Sequence, residues 1–398
     1  MKYRVVGLTT SYPLREGSCA GVFVRSLYRN LPSYWATQVV CPDDNKEIQA
    51  GQLYSPPVHR VRYAPRSWQL LAQQSGGVVS GLRRAPWRMI LVPALLLALV
   101  WQCSRYAKRS DLIHANWALC GAIAIFVGKL RGLPVVTTLR GDDVTRARRS
   151  LVEQWLLNFV VRGSQRVVCV SAAMTAQLQA RYPEQARKIF TCLNGVDDVF
   201  FNVSRDVPAF GHIRVVTVGS LIPRKGYDVL VDAVAMMRNR DRVKVTIVGD
   251  GPARAALVER MIQKGVIGQF ELIGEVSPKC MPDILARADV FVLVSRAEGR
   301  PNAVIEALTS ELPVITTRLP GIEGLVVDGE NGWVVDVDDY AAVASALDQA
   351  TLDMQERHRR GIAARNAMRA LAQTWAATGL RYSQIFSEAM HEKDRVKS

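Results

Sequence analysis

Two glutamates, Glu298 and Glu306, stand eight positions apart with Pro301 between them. The apolar run before them (Ala288, Val290, Phe291, Val292, Leu293, Val294) reads as a buried strand. Pro301 falls where a helix would begin, at its first turn. Strand, short loop and helix start, in that order, aim backbone N–H groups and the positive end of the helix dipole at whatever sits above the loop. Such a place favours phosphate. With Glu306 about two turns into the helix and a rise of about 1.5 Å per residue, the two carboxylates span roughly 10 Å. That suits a ligand with hydroxyls at both ends, a sugar on one side and a ribose on the other. By spacing alone, a surface loop with two solvated glutamates fits slightly better.

Other residues have the types and positions for related chemistry. Arg224-Lys225-Gly226 follows an apolar strand pattern and opens a helix. Two cations there oppose the helix dipole unless an anion joins them, and together they can neutralise a diphosphate. Gly219 and Gly249 each let the backbone approach a ligand closely, although Asp250-Gly251-Pro252 fits a plain turn equally well. In the first half, His114-Ala115-Asn116-Trp117 and Thr138-Leu139-Arg140-Gly141-Asp142-Asp143 each follow a short apolar strand.

Strand and helix patterns alternate along the whole chain, which predicts parallel α/β sheets. Strands are expected at 3–8, 37–41, 112–114, 135–139, 167–170 and 190–193, with helices near 22–30, 117–131, 150–163 and 172–181. A polar connector covers roughly 197–211. The second series has strands at 213–218, 243–248, 270–273, 290–294, 313–316 and 333–335. Its helices lie near 226–238, 252–264, 280–287, 301–310 and 338–350, and one long helical stretch covers 354–390. Ligands in such sheets bind at the carboxyl ends of the strands, where each of these motifs falls.

Residues 298–306 resemble the E-x7-E motif of retaining glycosyltransferases of the family 4 type. Similar context runs through Val218-Gly219-Ser220-Leu221-Ile222-Pro223-Arg224-Lys225-Gly226-Tyr227, Ile247-Val248-Gly249-Asp250-Gly251-Pro252 and the GENGWV segment at 329–334. The resemblance covers nearly the whole chain. It implies the GT-B architecture, an α/β fold of two Rossmann-like parallel-sheet domains facing a central cleft. Residues 1–197 would form an acceptor-binding, membrane-facing domain and 212–370 a nucleotide-sugar donor domain. Residues 371–398 would form a helix and tail crossing back to the first domain.

The resemblance also implies roles. Arg224 and Lys225 would hold the leaving diphosphate, Glu298 the donor sugar's hydroxyls and Glu306 the ribose. The segment Arg300, Pro301, Asn302, Ala303 would meet sugar or phosphate, with a surface ion pair to Glu298 as the other reading of Arg300. Gly21, Gly219 and Gly249 would lie beside the donor. His114, Asn116 and Trp117 match an H-x-H/N-W pattern near the acceptor, and a structural role for His114 fits as well. Arg140 stands where the family often has a histidine. It stays charged, so it would clamp phosphate or acceptor and not act as a base, with Asp143 orienting it. In Pro320-Gly321-Ile322-Glu323-Gly324 the glutamate stands one place before the family's preferred position, so no donor contact is assigned to that loop.

At 398 residues with 49% hydrophobic content, two full domains are expected. Cys19, Cys41, Cys103, Cys120, Cys169, Cys192 and Cys280 show no metal-binding spacing and read as reduced core thiols in a cytosolic protein. No secretory leader is visible at Met1, and no metal is expected at the diphosphate. The net charge of +15 lies entirely in residues 1–199, which hold 26 Lys and Arg against 11 Asp and Glu. Such charge suits nucleic acid, anionic lipid or a phosphorylated substrate; nucleic-acid motifs are missing, and an anionic membrane is the better reading. Arg83-Arg84-Ala85-Pro86-Trp87-Arg88 precedes the apolar run from Met89 to Trp101, with Arg105, Lys108 and Arg109 after it. Thirteen residues interrupted by Pro93 are too few to span a bilayer, but tryptophans flanked by arginines suit the headgroup boundary. A helix buried against the sheet fits equally, and one face can be packed while the other meets lipid.

Together these features predict a metal-independent, cofactor-free retaining glycosyltransferase, peripheral on the inner face of the cytoplasmic membrane. It would move a hexose or N-acetylhexosamine from a nucleotide diphosphate sugar to a lipid-linked or surface-polysaccharide precursor. A GT-B sugar-nucleotide epimerase and a catalytically silent membrane-bound scaffold are the alternatives.

Overall fold

The computed structural model describes residues 2–13, 18, 20–44, 55–72, 82, 85–148, 150–205 and 212–397. Leu14, Arg15, Glu16, Gly17 and Cys19 of the first loop, the cations Arg83 and Arg84, and residues 206–211 of the connector lie outside them. The chain divides into two units, Met1–Gly195 with Trp375–Ser398, and Val196–Thr374.

The first unit is built on a parallel seven-stranded sheet of order β3-β2-β1-β4-β5-β6-β7. Its strands are β1 (Tyr3–Leu8), β2 (Trp35–Pro42), β3 (Val58–Val61), β4 (Leu112–Asn116), β5 (Val135–Leu139), β6 (Arg166–Cys169) and β7 (Ile189–Thr191). Alternate side chains of β1 enter different cores. Val6 and Leu8 pack on one face with Ile113 and Leu139, and Val5 packs on the other with Leu112 and Val136. Burial on both faces is why these strands read as continuous apolar runs. The helices are α1 (Val22–Arg29), α2 (Val92–Ala107), α3 (Ala118–Arg131), α4 (Asp142–Arg146), α5 (Leu151–Gly163) and α6 (Ala172–Arg181). Ser150 and Ser171 cap α5 and α6 by accepting from the N–H groups of Glu153 and Met174.

The second unit repeats the plan in a parallel six-stranded sheet of order β10-β9-β8-β11-β12-β13. These strands are β8 (Ile213–Val218), β9 (Val243–Val248), β10 (Phe270–Gly274), β11 (Val290–Leu293), β12 (Val314–Thr317) and β13 (Gly332–Val335). The helices α7 (Tyr227–Met236), α8 (Arg254–Gln263), α9 (Met281–Ala286), α10 (Asn302–Thr309), α11 (Tyr340–Leu352) and α12 (Met354–Ala370) complete it. Strand order reverses between β1 and β4 in one unit and between β8 and β11 in the other. The loops leaving such neighbours diverge and open a crevice at the strands' carboxyl ends.

Several expectations need correction. The strand VHRV at 58–61 was not anticipated, because an edge strand with His59 and Arg60 lacks the apolar signature. β2 is longer than expected, and β4 runs on to Asn116, so His114 lies within the strand. The helical stretch from 354 is two helices. α12 stays with the second unit, and α13 (Trp375–Lys397) belongs to the first. There Tyr382, Ile385, Phe386 and Ala389 fill the core beside Val24, Tyr28 and Trp35. Gly379 permits this approach, since a Cβ there would lie 1.9 Å from the Asn30 carbonyl oxygen. Ser383 Oγ accepts from the Trp35 indole at 2.8 Å. Cys41, Cys103, Cys120, Cys169 and Cys192 are buried free thiols, and burial pushes them all up; Cys280 is exposed, contrary to a core role.

The apolar segment after Pro86 divides by face. A turn at Pro86–Leu91 leads into α2, whose Leu95, Leu99 and Cys103 are wholly buried against the first sheet. Trp87, Met89, Ile90, Leu97 and Trp101 are exposed. One side of the helix is therefore packed, as the buried reading expects, and the other side is exposed.

Candidate active site

In the second unit, the crevice between β8 and β11 collects the charged residues. The turn Pro223–Lys225 follows β8 and ends at Gly226, whose φ of 68° is left-handed. A Cβ on Gly226 would lie 2.0 Å from the Val294 carbonyl oxygen, so glycine seats this turn directly on the end of β11. Lys225 Nζ consequently reaches Glu298 Oε1 at 2.7 Å, and the Ser295 hydroxyl donates to the same oxygen at 2.7 Å. The Glu298 side chain is nearly buried. Burial would push its carboxyl up, but the Lys225 and Arg224 charges, with the hydrogen bonds from Lys225 and Ser295, outweigh it and hold the group below the ordinary glutamate range. Arg224 Nη1 donates to the Ala297 carbonyl at 3.4 Å.

Arg296 ties the two loops together. Its guanidinium makes paired bonds to the Asp228 carboxylate at 3.0 and 2.6 Å, a bond to Asp338 at 2.7 Å and one to the Pro223 carbonyl at 2.5 Å. Its backbone N–H donates to the Arg224 carbonyl at 2.8 Å. Bidentate arginine–carboxylate pairing fixes direction as well as distance. Arg296 thus sets the position of Lys225 relative to Glu298, a role the sequence did not reveal. Gly249 packs on Gly219, where a Cβ would lie 2.1 Å from the Gly219 carbonyl oxygen. The Tyr227 hydroxyl donates to that same carbonyl at 2.9 Å. Gly321 lies on the Glu298 loop, 2.5 Å from the Gly299 oxygen by the same measure. The 320–324 loop therefore buttresses the loop that carries the carboxylate.

Pro301 is extended and precedes α10, which begins at Asn302. Glu306 is therefore the fifth helical residue, one turn in, not two. Asn302 and Ala303 head the helix. Burial, with the Asp197 carboxylate adding to it, raises Glu306 to about 8. Arg300 donates to Gln373 Oε1 at 2.7 Å, not to Glu298, and burial lowers it to about 10.

In the first unit, Arg140 leaves the end of β5. Its guanidinium donates to Asn116 Oδ1 at 2.6 Å and Asn194 Oδ1 at 2.7 Å, and it lies over the Phe23 ring at 4.5 Å. Asn194 and Phe23 were not legible as partners from sequence. Asp143 acts on the loop backbone, not on the guanidinium. Its two oxygens accept from the N–H groups of Ala118 (2.9 Å) and Arg140 (3.0 Å), and burial raises its carboxyl. Trp117 caps α3 with a φ of 70° and meets Phe23 edge-on at 6.0 Å. Gly21 has a left-handed φ of 66° and a Cβ there would lie 2.2 Å from the Ser11 oxygen, so its first duty is steric.

His114 does not reach this surface. It is wholly buried, with Nδ1 bonded to the Tyr28 hydroxyl at 2.8 Å and Nε2 to the Thr138 hydroxyl at 2.9 Å. Burial, with the Arg140 charge behind it, lowers it to about 3, so it stays neutral. Of the two readings of His114, a place near the acceptor or a structural role, these buried hydrogen bonds fit the structural one. His114→Ala is expected to lower the melting temperature, since stranding the Tyr28 hydroxyl alone costs about 1–3 kcal/mol. Activity per folded molecule should stay close to wild type; a large fall in turnover with unchanged stability would reverse that reading.

Among the described residues no group of three His, Cys, Asp or Glu side chains is placed to hold a metal ion.

Comparison with known proteins covers both units. Residues 20–200 match the profile described as Glycosyltransferase Family 4, and 206–367 match Glycosyl transferases group 1. An uncharacterized glycosyltransferase of Methanocaldococcus jannaschii is 27% identical over 57% of this chain and 61% of its own length. A putative teichuronic acid biosynthesis glycosyltransferase of Bacillus subtilis is 32% identical over 54% of this chain and 55% of its own. The chain thus spans roughly three fifths of these relatives. Among solved structures, sucrose-phosphate synthase from Thermosynechococcus elongatus superposes with a TM-score of 0.79 at 19% identity, covering 98% of this chain and 100% of the other. HepE of Anabaena, solved with UDP, gives 0.72 at 18%, with the same coverage of each chain. At these identities the likeness establishes the two-unit α/β fold.

Proposed function

The chain belongs to the family 4, group 1 glycosyltransferases, and from that premise we propose that it is a retaining, metal-independent enzyme that transfers a hexose or N-acetylhexosamine. The donor is a nucleotide diphosphate sugar bound by the second unit. The acceptor is a hydroxyl of a lipid-linked or surface-polysaccharide precursor met by the first unit at the inner face of a bacterial cytoplasmic membrane. The observation that carries this reading is the Lys225–Glu298 pair, flanked by Arg224, at the point where strand order reverses. UDP in the HepE complex and the teichuronic acid role named for the Bacillus relative support donor and acceptor class by analogy.

The proposed chemistry follows from these charges. Arg224 and Lys225 meet the negative charge that grows on the diphosphate as the glycosidic bond breaks, a preorganised stabilisation of the transition state. Glu298, kept ionised by Lys225, accepts from the sugar hydroxyls, and Glu306 accepts from the ribose. The acceptor hydroxyl attacks on the face the diphosphate leaves, and its proton passes to the departing phosphate oxygen. The sugar carbon thereby keeps its configuration. Arg140, locked between Asn116 and Asn194, presents fixed charge to the acceptor side.

Incubating the protein with a panel of nucleotide sugars and bacterial lipid extract should yield a glycosylated lipid of retained anomeric configuration by NMR. EDTA should leave the rate unaltered. A product of inverted configuration, or a rate lost to EDTA and restored by Mg²⁺, would overturn the corresponding part. An epimerase would instead convert the donor with no acceptor present. For membrane attachment, the exposed side of α2 supplies the apolar contact and the cations of the first half supply the charge. Leu97 is the residue on this segment to replace, because Leu95 is wholly buried in the core.

A further inference from the structure

Among the described residues of the first unit, exposed apolar side chains are not confined to α2. α3 packs on both α2 and α5, so the three helices form one layer. Leu97 and Trp101 are exposed on α2, and Phe126 and Leu130 on α3. The strongest exposure is on the first turn of α5, where Leu151, Val152 and Trp155 are 84%, 75% and 65% accessible. An exposed apolar area spread over adjacent elements marks a docking surface.

Charge identifies the occupant. The turn at Pro86–Leu91, α2 and α3 carry no acidic residue. The one acid on α5, Glu153, lies 3.7 Å from Arg146. Arg146 and Arg148 lie just before Leu151, Lys129 and Arg131 end α3, and Arg105 stands over the Trp101 ring at 5.8 Å. Cations around an apolar face with tryptophans at the boundary match an anionic bilayer surface.

We infer that the first turn of α5, with Leu151, Val152 and Trp155, inserts into an anionic lipid surface alongside the exposed sides of α2 and α3. The consequence is positional. α5 packs on α4, and only residues 147–150 separate the two helices. α4 itself starts at the loop where Asp143 holds the backbone of Arg140. Insertion of α5 therefore brings the Arg140, Asn116, Asn194 cluster to the level of the headgroups, where a lipid-borne acceptor emerges. This last step rests on the acceptor proposed above; the insertion itself does not.

The test is a variant with Leu151→Ser, Val152→Ser and Trp155→Ser. All three side chains are exposed, so melting temperature and UDP-sugar binding should match wild type. Flotation with phosphatidylcholine vesicles containing phosphatidylglycerol should fall by about tenfold or more, since each such side chain favours an apolar phase by at least that factor. With a lipid-linked acceptor KM should rise, while turnover on a water-soluble acceptor stays unchanged. Undiminished flotation of the variant would overturn the inference whatever the enzyme's activity. So would a wild-type dimer without lipid that the variant abolishes, which would assign the face to a second copy. Reduced flotation without any transferase activity would uphold insertion and reject the proposed reaction.

Discussion

Lys225→Ala is expected to lower turnover by about 10²–10³-fold, the loss typical when one preorganised charge is removed from a developing oxyanion. Donor affinity should fall much less, because the charge on the diphosphate is greatest as the bond breaks. A second effect comes from Glu298. Without Lys225 the nearly buried carboxylate keeps the Ser295 hydroxyl and the Arg224 charge but loses its nearest cation. Its pKa then rises, and the acid limb of the pH–rate profile moves to higher pH. Steady-state kinetics across pH measures both. Weakened donor binding with unchanged turnover would show that Lys225 binds ground and transition states alike.

Glu306→Gln should produce opposite effects on binding and on stability. In the folded protein burial raises this carboxyl to about 8 from the ordinary glutamate value of 4.5. The sign follows from linkage. An acid whose folded pKa exceeds its unfolded one opposes folding increasingly as pH rises from the unfolded value through about 8. The glutamine variant should therefore melt above wild type, with a margin that widens from pH 4.5 to about pH 8 and is level beyond it. Yet it should bind donor more weakly, by about tenfold to a hundredfold, because a charged hydrogen bond of about 1.5–3 kcal/mol to the ribose is lost. In wild type, donor affinity should climb as pH approaches 8 and the carboxyl ionises. Thermal unfolding across pH with and without UDP measures all of this. Equal donor affinity would remove Glu306 from the ribose, and a stability margin independent of pH would contradict its raised pKa.

What the sequence could reveal depended on the range of the signal. The strands at 213–218 and 290–293 are apolar runs bounded by turn residues, and such local patterns are readable directly. The site motifs were readable for the same reason: Arg224-Lys225-Gly226 and the glutamate pair are contiguous segments. Arg296 escaped notice although it lies two residues before Glu298, because its partners Asp228 and Asp338 are 68 and 42 positions away. Phe23 and Asn194 beside Arg140 were hidden in the same way. His114 illustrates the limit in the other direction. A pattern match placed it near the acceptor, but burial is a tertiary property. The Tyr28 and Thr138 hydroxyls that close its ring come from α1 and β5. Pro301 reads as the first helical residue, but its extended conformation moves the start of α10 by one position and leaves Glu306 one turn into the helix.

The last helix of the chain carries a consequence for the order in which the protein is made. Tyr382, Ile385 and Phe386 belong to the core of the first unit, yet they are synthesised after all of Val196–Thr374. At about 5–20 residues per second, the ribosome takes roughly 10–40 s to complete the intervening segment. Through that interval the nascent first sheet leaves the face over Tyr28 and Trp35 uncovered. The second unit, contiguous in sequence, can complete its own core before the first unit receives its final helix. A premature stop that removes only the last helix would thus spare the unit completed just before it and unmake the unit begun first.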